Sequence, residues 1–229
     1  MPAPERSFVV TGGAGGVGRA IVARLDGHVE VLDLAHGHDA ADPAVAEAAI
    51  ARAEAVAPLA GWVNNAAVFR DAWLHEDEPV LDLITANLAL AVTGCRVAVR
   101  HWLAHGHAGA IVNVSSHQAA RPVPGALPYA VAKAALEGLT RAVAVDYGPR
   151  GIRCNAVALG SIATARSDAR PELSAELERL HPLGRVGTPE EVADVVASLL
   201  EPGFVSGAII PVDGGRSVLG HDPEARRAP

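Results

Sequence analysis

Ser7-Phe-Val-Val-Thr-Gly-Gly-Ala-Gly-Gly-Val-Gly18 decides the fold class of this chain. A short apolar run ends in a glycine-rich turn, and a helix-like stretch, residues 16–25, opens within it. Gly12, Gly16 and Gly18 stand at spacings of four and two. Glycine allows the tight turn and lets backbone N–H groups approach a pyrophosphate at the helix N-terminus. A strand before and a helix after are the context in which such a loop holds a dinucleotide, so Gly12, Gly16, Val17 and Gly18 are its candidate contacts.

The second strand-like run ends at Asp33. A carboxylate there can accept hydrogen bonds from both adenosine ribose hydroxyls and would repel a 2′-phosphate. No Arg or Lys occupies residues 12–18 or the positions just after Asp33, so NAD is expected over NADP. Short apolar runs and longer amphipathic runs then alternate, the mark of a parallel sheet with crossover helices. Strands are expected at 7–11, 29–33, 61–64, 110–115, 152–158 and 208–212, and helices at 16–25, 43–56, 79–104, 128–147, 171–180 and 189–200. Thr188-Pro-Glu-Glu191 is a strong helix start, with a capping Thr, Pro at the first position and acids in the first turn.

The 229 residues suit one α/β domain, 1–229, with a loose polar tail at about 220–229. Half the residues are hydrophobic but only 3% are aromatic, so the core is aliphatic. A net charge of −7 with no basic run argues against nucleic acid as a partner. Cys95 and Cys154 lie in apolar or mixed stretches, which fits a reducing cytoplasm better than a disulfide framework. No signal-like segment and no apolar run of about eighteen residues is evident, so no membrane association is expected.

Tyr129-Ala-Val-Ala-Lys133 follows Ser116 by thirteen residues. Positions i and i+4 share a helix face, which sets an ammonium beside a phenol. A nearby positive charge favours the phenolate and brings the phenol's pKa, ordinarily about 10, toward neutrality. That makes Tyr129 a plausible general acid and base.

With these residues in hand, the chain resembles the short-chain dehydrogenase/reductase family in its single-domain form. The resemblance runs from Thr11 to Gly215. Its motifs are Thr11-Gly12-x-x-x-Gly16-x-Gly18, Asn64-Asn65-Ala66-Ala67, Asn87 in a long helix, Ser116, Tyr129-x-x-x-Lys133, Pro182–Ala193 and Val212-Asp-Gly-Gly215. It implies a doubly wound Rossmann fold of about seven mostly parallel strands with helices on both faces. It implies a catalytic set of Asn87, Ser116, Tyr129 and Lys133. Tyr129 would be the acid/base, and Lys133 would lower its pKa and bind the nicotinamide ribose. Ser116 would hold the substrate oxygen, and Asn87 would hold a water relaying protons from Lys133. Asp39 and Ala40 would contact adenine, Asn65 would line the ribose side, and Ile162 would bond the carboxamide through its backbone. Thr164 would meet the nicotinamide end or the phosphates. His117, next to Ser116, either contacts substrate or faces solvent.

The implied activity is reversible hydride transfer between NAD and a secondary alcohol or ketone. Residues 160–182 would form the lid, whose polar character suits a small polar substrate. An NADPH-linked 3-oxoacyl-thioester reductase is the alternative enzyme, and a non-catalytic nucleotide-binding regulator the alternative of another class. Relatives associate through the two long helices, so a homodimer or homotetramer is expected. No metal is expected: His101, His105 and His107 cluster, but no nearby carboxylate or Cys joins them in the sequence. Three departures stand out: Ala67 replaces the usual Gly, Leu159-Gly160 replaces Pro-Gly, and only five residues separate Asp33 from Asp39. The last shortens the chain beside the adenine pocket.

Overall fold

The computed structural model describes residues 5–164 and 174–220. Its strands are β1 (Ser7–Thr11), β2 (His28–Leu32), β3 (Leu59–Asn64), β4 (Gly109–Ser116), β5 (Ile152–Leu159) and β6 (Ile209–Val212). Its α-helices are α1 (Gly16–Arg24), α2 (Pro43–Glu54), α3 (Val80–His105), α4 (Leu127–Tyr147), α5 (Ser174–Arg179) and α6 (Pro189–Leu200). All strand pairs are parallel, in the order β2-β1-β3-β4-β5-β6. This is a doubly wound Rossmann sheet with helices on both faces.

The described sheet has six strands where about seven were expected. A parallel neighbour needs a crossover of a dozen or more residues. Between β2 and Asp39 the chain makes only a 3-10 turn over Leu34–His36, ended by Gly37 at φ 76°. It then enters α2 under an Asp42 cap. β2 is left as the sheet edge, where Glu30 meets Arg52 at 2.9 Å and His28 at 3.1 Å. Charged side chains of this kind discourage edge-to-edge pairing.

Side chains alternate between two cores because successive residues of a strand point to opposite faces. Val9 and Ile111 join the core under α2, α3 and α4. Phe8, Val10, Val112 and Val114 join the one under α1 and α6. The expected cap of α6 forms as a reciprocal box: Thr188 Oγ1 accepts from the Glu191 amide and Glu191 accepts from the Thr188 amide.

One expectation is corrected here. α3 is long and apolar enough, by length and composition, to cross a membrane. In this fold Val97, Ala98 and Trp102 of α3 are buried in the core, and Trp102 Nε1 donates to the Leu59 carbonyl at 2.8 Å. Its hydrophobicity packs the helix against α2, α4 and β3.

β1 and β3 are neighbours, but the chain leaves β1 for β2 on the other side. The crevice where strand order reverses, beyond the carboxyl ends of β1 and β3, is where this class of sheet binds ligands. Thr11, Gly12, Asn64 and Asn65 sit there.

Candidate active site

The glycine loop is locked to the end of β3. Thr11 Oγ1 accepts from the amides of Asn65 and Ala66, both at 3.0 Å. The Asn65 side-chain amide donates to the carbonyls of Thr11 (3.1 Å) and Gly12 (2.9 Å). Asn65 therefore braces the loop with the group that the resemblance assigned to the ribose side. Gly12 sits at φ 64°, a conformation that disfavours any other residue. A Cβ on Gly18 would stand 2.0 Å from the Gly12 carbonyl oxygen, so α1 starts hard against the loop.

Asp33 also braces the loop. One carboxylate oxygen accepts from the Ala14 amide and the other from the Ala35 amide, each at 2.9 Å. Each oxygen has a second lone pair, so both can still accept a ribose hydroxyl. Arg19, the residue after Gly18, turns back and donates to the Ala14 carbonyl at 2.9 Å.

Two cavities flank this loop. Gly12, Asp33, His38, Asp39, Ala40 and Ala66 are among the residues lining one of about 380 Å³. Asp39 turns one carboxylate oxygen to the Ala41 amide at 2.9 Å, and Ala40 is buried. Val17, Ser116, His117, Tyr129, Ile162 and Thr164 share the other, about 430 Å³, with further residues. Thr164 reaches over the loop: a Cβ on Gly16 would lie 3.6 Å from its methyl carbon. Ile162 bridges to Gly187 through its neighbours, the Ser161 carbonyl and the Ala163 amide, both at 2.9 Å.

The catalytic candidates come from three elements. Ser116 ends β4, and its hydroxyl oxygen accepts from the Gln118 amide at 3.2 Å. The hydroxyl proton is left to donate. Tyr129 and Lys133 rise from α4, with the Lys133 Nζ 5.3 Å from the centre of the Tyr129 ring. Lys133 is buried and donates to the Val114 carbonyl at 2.6 Å. Burial pushes its pKa down to about 8. Phe69 packs on Tyr129 with ring centroids 5.3 Å apart.

Asn87 is buried in α3, and its side chain clamps the segment after β3. Its oxygen accepts from the Val68 amide at 2.9 Å, and its nitrogen donates to the carbonyls of Val68 (3.0 Å) and Leu83 (3.2 Å). Both amide protons are committed, which leaves water to main-chain groups.

Ala67 carries no strain, because among the described residues no residue other than glycine has a positive φ. Leu159 ends β5 opposite Val212. Gly160 is required: a Cβ there would sit 2.8 Å from both Asp213 Cα and His181 Nε2. His181 is a structural residue of the segment after β5. Its Nε2 accepts from the Ser161 amide at 3.0 Å, so Nδ1 carries the proton and donates to the Leu177 carbonyl at 2.6 Å. Residues 165–173 of the expected lid lie outside the described residues.

His117 does not face solvent. It is buried in the larger cavity, where burial and the nearby Arg216 push its pKa down to about 4. Arg216 went unread in the sequence, although it directly follows the Asp213-Gly-Gly215 motif. The reading of the surface histidines is also corrected: α2 brings Glu54 to His101 at 2.8 Å. Among the described residues no group of His, Cys, Asp or Glu is arranged to hold a metal.

A family model described as enoyl-(acyl carrier protein) reductase matches residues 13–217. Carbonyl reductase family member 4 of Danio rerio is 41% identical over 69% of this chain and 65% of its own. The 2-(S)-hydroxypropyl-CoM dehydrogenase 3 of Xanthobacter autotrophicus is 34% identical over 93% of this chain and 96% of its own. The ligand-free aldohexose dehydrogenase of Thermoplasma acidophilum superposes with a TM-score of 0.85 at 28% identity, covering 99% of this chain and 98% of that one. The chain belongs to the short-chain dehydrogenase/reductase family. It is an oxidoreductase of the class that uses NAD(P) and acts on CH–OH groups.

Proposed function

We propose that this protein interconverts a small polar secondary alcohol and its ketone with NAD. The observation that carries this reading is the Tyr129 ring in one cavity with Ser116, with the buried Lys133 ammonium beside it. The residues present fit a dinucleotide. Gly12 forms a cradle that a Cβ would fill, and His38 Nδ1 is buried in the same cavity without a partner among the described residues. Gly12, Val17, Asp33 and Lys133 would hold the dinucleotide, which supplies a hydride acceptor or donor. In oxidation Tyr129, as phenolate, takes the hydroxyl proton; in reduction, as phenol, it returns one to the carbonyl oxygen. Ser116 donates a hydrogen bond to that oxygen and stabilises the charge developing on it. Lys133 favours the phenolate, and Asn87 holds the backbone of Val68 in place.

NAD preference follows from Asp33 at the loop. A second reading, NADPH-linked oxoacyl-thioester reduction, is favoured by Arg19 beside Ala14. Repulsion between two charges near a protein surface is worth several kcal/mol at about 4 Å. We therefore expect kcat/KM for NADH to exceed that for NADPH by at least about tenfold. A steady-state titration with both cofactors decides it, and a lower KM for NADPH would overturn the preference.

Self-association completes the reading. Val92 on α3 and Val131 and Val145 on α4 are exposed. Burying these faces in a second copy removes apolar surface from water. Light scattering is expected to show a dimer or tetramer; a single 23.5 kDa species rejects it.

A further inference from the structure

The cavity beside Tyr129 holds a charge that alcohol chemistry alone does not need. Arg216, four residues past the end of β6, lines it with Ser116, His117 and Tyr129. It is half-buried, and its Nη1 donates to Ser161 Oγ at 2.8 Å. Among the described residues no carboxylate forms an ion pair with it. Asp213 lies close in sequence, but its oxygens accept from the Gly215 and Ser217 amides at 3.0 and 2.7 Å. Burial works against the guanidinium's charge more than Asp213 supports it. A desolvated cation without an ion pair is costly unless a ligand completes it.

The other lining groups agree. Arg216 is the one Lys or Arg among the described residues of this cavity, and the one acid, Asp71, is exposed to water that screens it. His117, neutral at pH 7, adds a hydrogen bond without a second charge. Gln118 Oε1 is buried with no partner among the described residues, which leaves an acceptor open to a ligand hydroxyl.

Resting on the dehydrogenase reading above, we propose that the substrate is a small hydroxy acid and the product its oxo acid. Arg216 binds the carboxylate while Ser116 and Tyr129 hold the reacting oxygen. With Nη1 on Ser161, the Nε and Nη2 edge remains to grip a carboxylate by two parallel bonds. A lysine at this position keeps the charge and loses the fork.

The test uses the full chain with NAD+ on pairs of substrates that differ only in the carboxylate, such as 3-hydroxybutyrate and 2-butanol. The wild type is expected to prefer the acid. Arg216→Ala is expected to lower the acid-over-neutral ratio of kcat/KM by about 10- to 100-fold, mainly through KM. Arg216→Lys is expected to fall between, and it carries the test if the alanine variant fails to fold. Equal losses on both substrates would make Arg216 a brace for Ser161 and overturn the proposal. A fall in NADH affinity, read by fluorescence, in place of the selectivity loss would assign it to the dinucleotide and overturn it as well. A wild type that oxidises 2-butanol but not the acid refutes the hydroxy-acid proposal and leaves the dehydrogenase standing. A wild type that oxidises no member of such pairs refutes both.

Discussion

Tyr129→Phe is expected to lower kcat by about 10²- to 10⁴-fold while leaving NADH affinity nearly intact. The substitution removes one oxygen and keeps the ring. Packing against Phe69, with centroids 5.3 Å apart, and the Lys133 contact at 5.3 Å both use that ring. The glycine loop does not hang on the phenol oxygen, since it is tied by Thr11, Asn65 and Asp33. What disappears is the group that carries the substrate proton. Without it, the proton must go to water in a cavity shaped to hold something else. The drop belongs in kcat more than in KM, because the interaction matters as charge moves. Absorbance of NADH follows turnover, and fluorescence titration follows binding. A variant that retains wild-type turnover sinks the assignment of Tyr129 as acid and base.

Most of the architecture could be read from periodicity. Apolar runs placed all six strands because parallel strands are buried on both faces and leave a continuous hydrophobic signal. The expected seventh failed on chain length: the five residues between Asp33 and Asp39 were visible, and their consequence, an exposed edge at β2, was not drawn. Residues in recognisable motifs were found because their spacing is local. Partners across the fold were not. Glu54 meets His101 across a sequence gap of 47 residues, and Asn87 meets Val68 across 19. No periodicity reports such pairs. Arg216 was missed for a related reason: its meaning comes from the wall of the cavity it joins, built by β4, α4 and the segment after β5. Ala67 replaces the usual glycine at no conformational cost, because its backbone keeps a negative φ, which the motif alone does not tell.

Lys133→Met is expected to cost turnover by at least about 10²-fold and yet stabilise the cofactor-free protein at pH 7. Burial moves the Lys133 pKa from 10.5 to about 8, so at pH 7 the fold still holds a charged ammonium away from water. At about 1.4 kcal/mol per pH unit, that displacement costs about 3 kcal/mol of stability. Methionine has similar length and no charge. It leaves the Val114 carbonyl without its 2.6 Å charged donor, a loss of about 1 to 3 kcal/mol. The balance favours the variant by up to about 2 kcal/mol, or a Tm higher by up to about 8 °C for a chain of this size. The sign with pH follows from the two pKa values. The cost is complete below pH 8, fades from pH 8, where the buried amine loses its proton, to 10.5, where the unfolded chain's amine does, and is gone above that. The variant's advantage should therefore be large in melts at pH 7 and narrow by pH 10. A variant less stable than wild type at pH 7 would mean that the ammonium is no burden, and that Lys133 serves the fold as well as the chemistry.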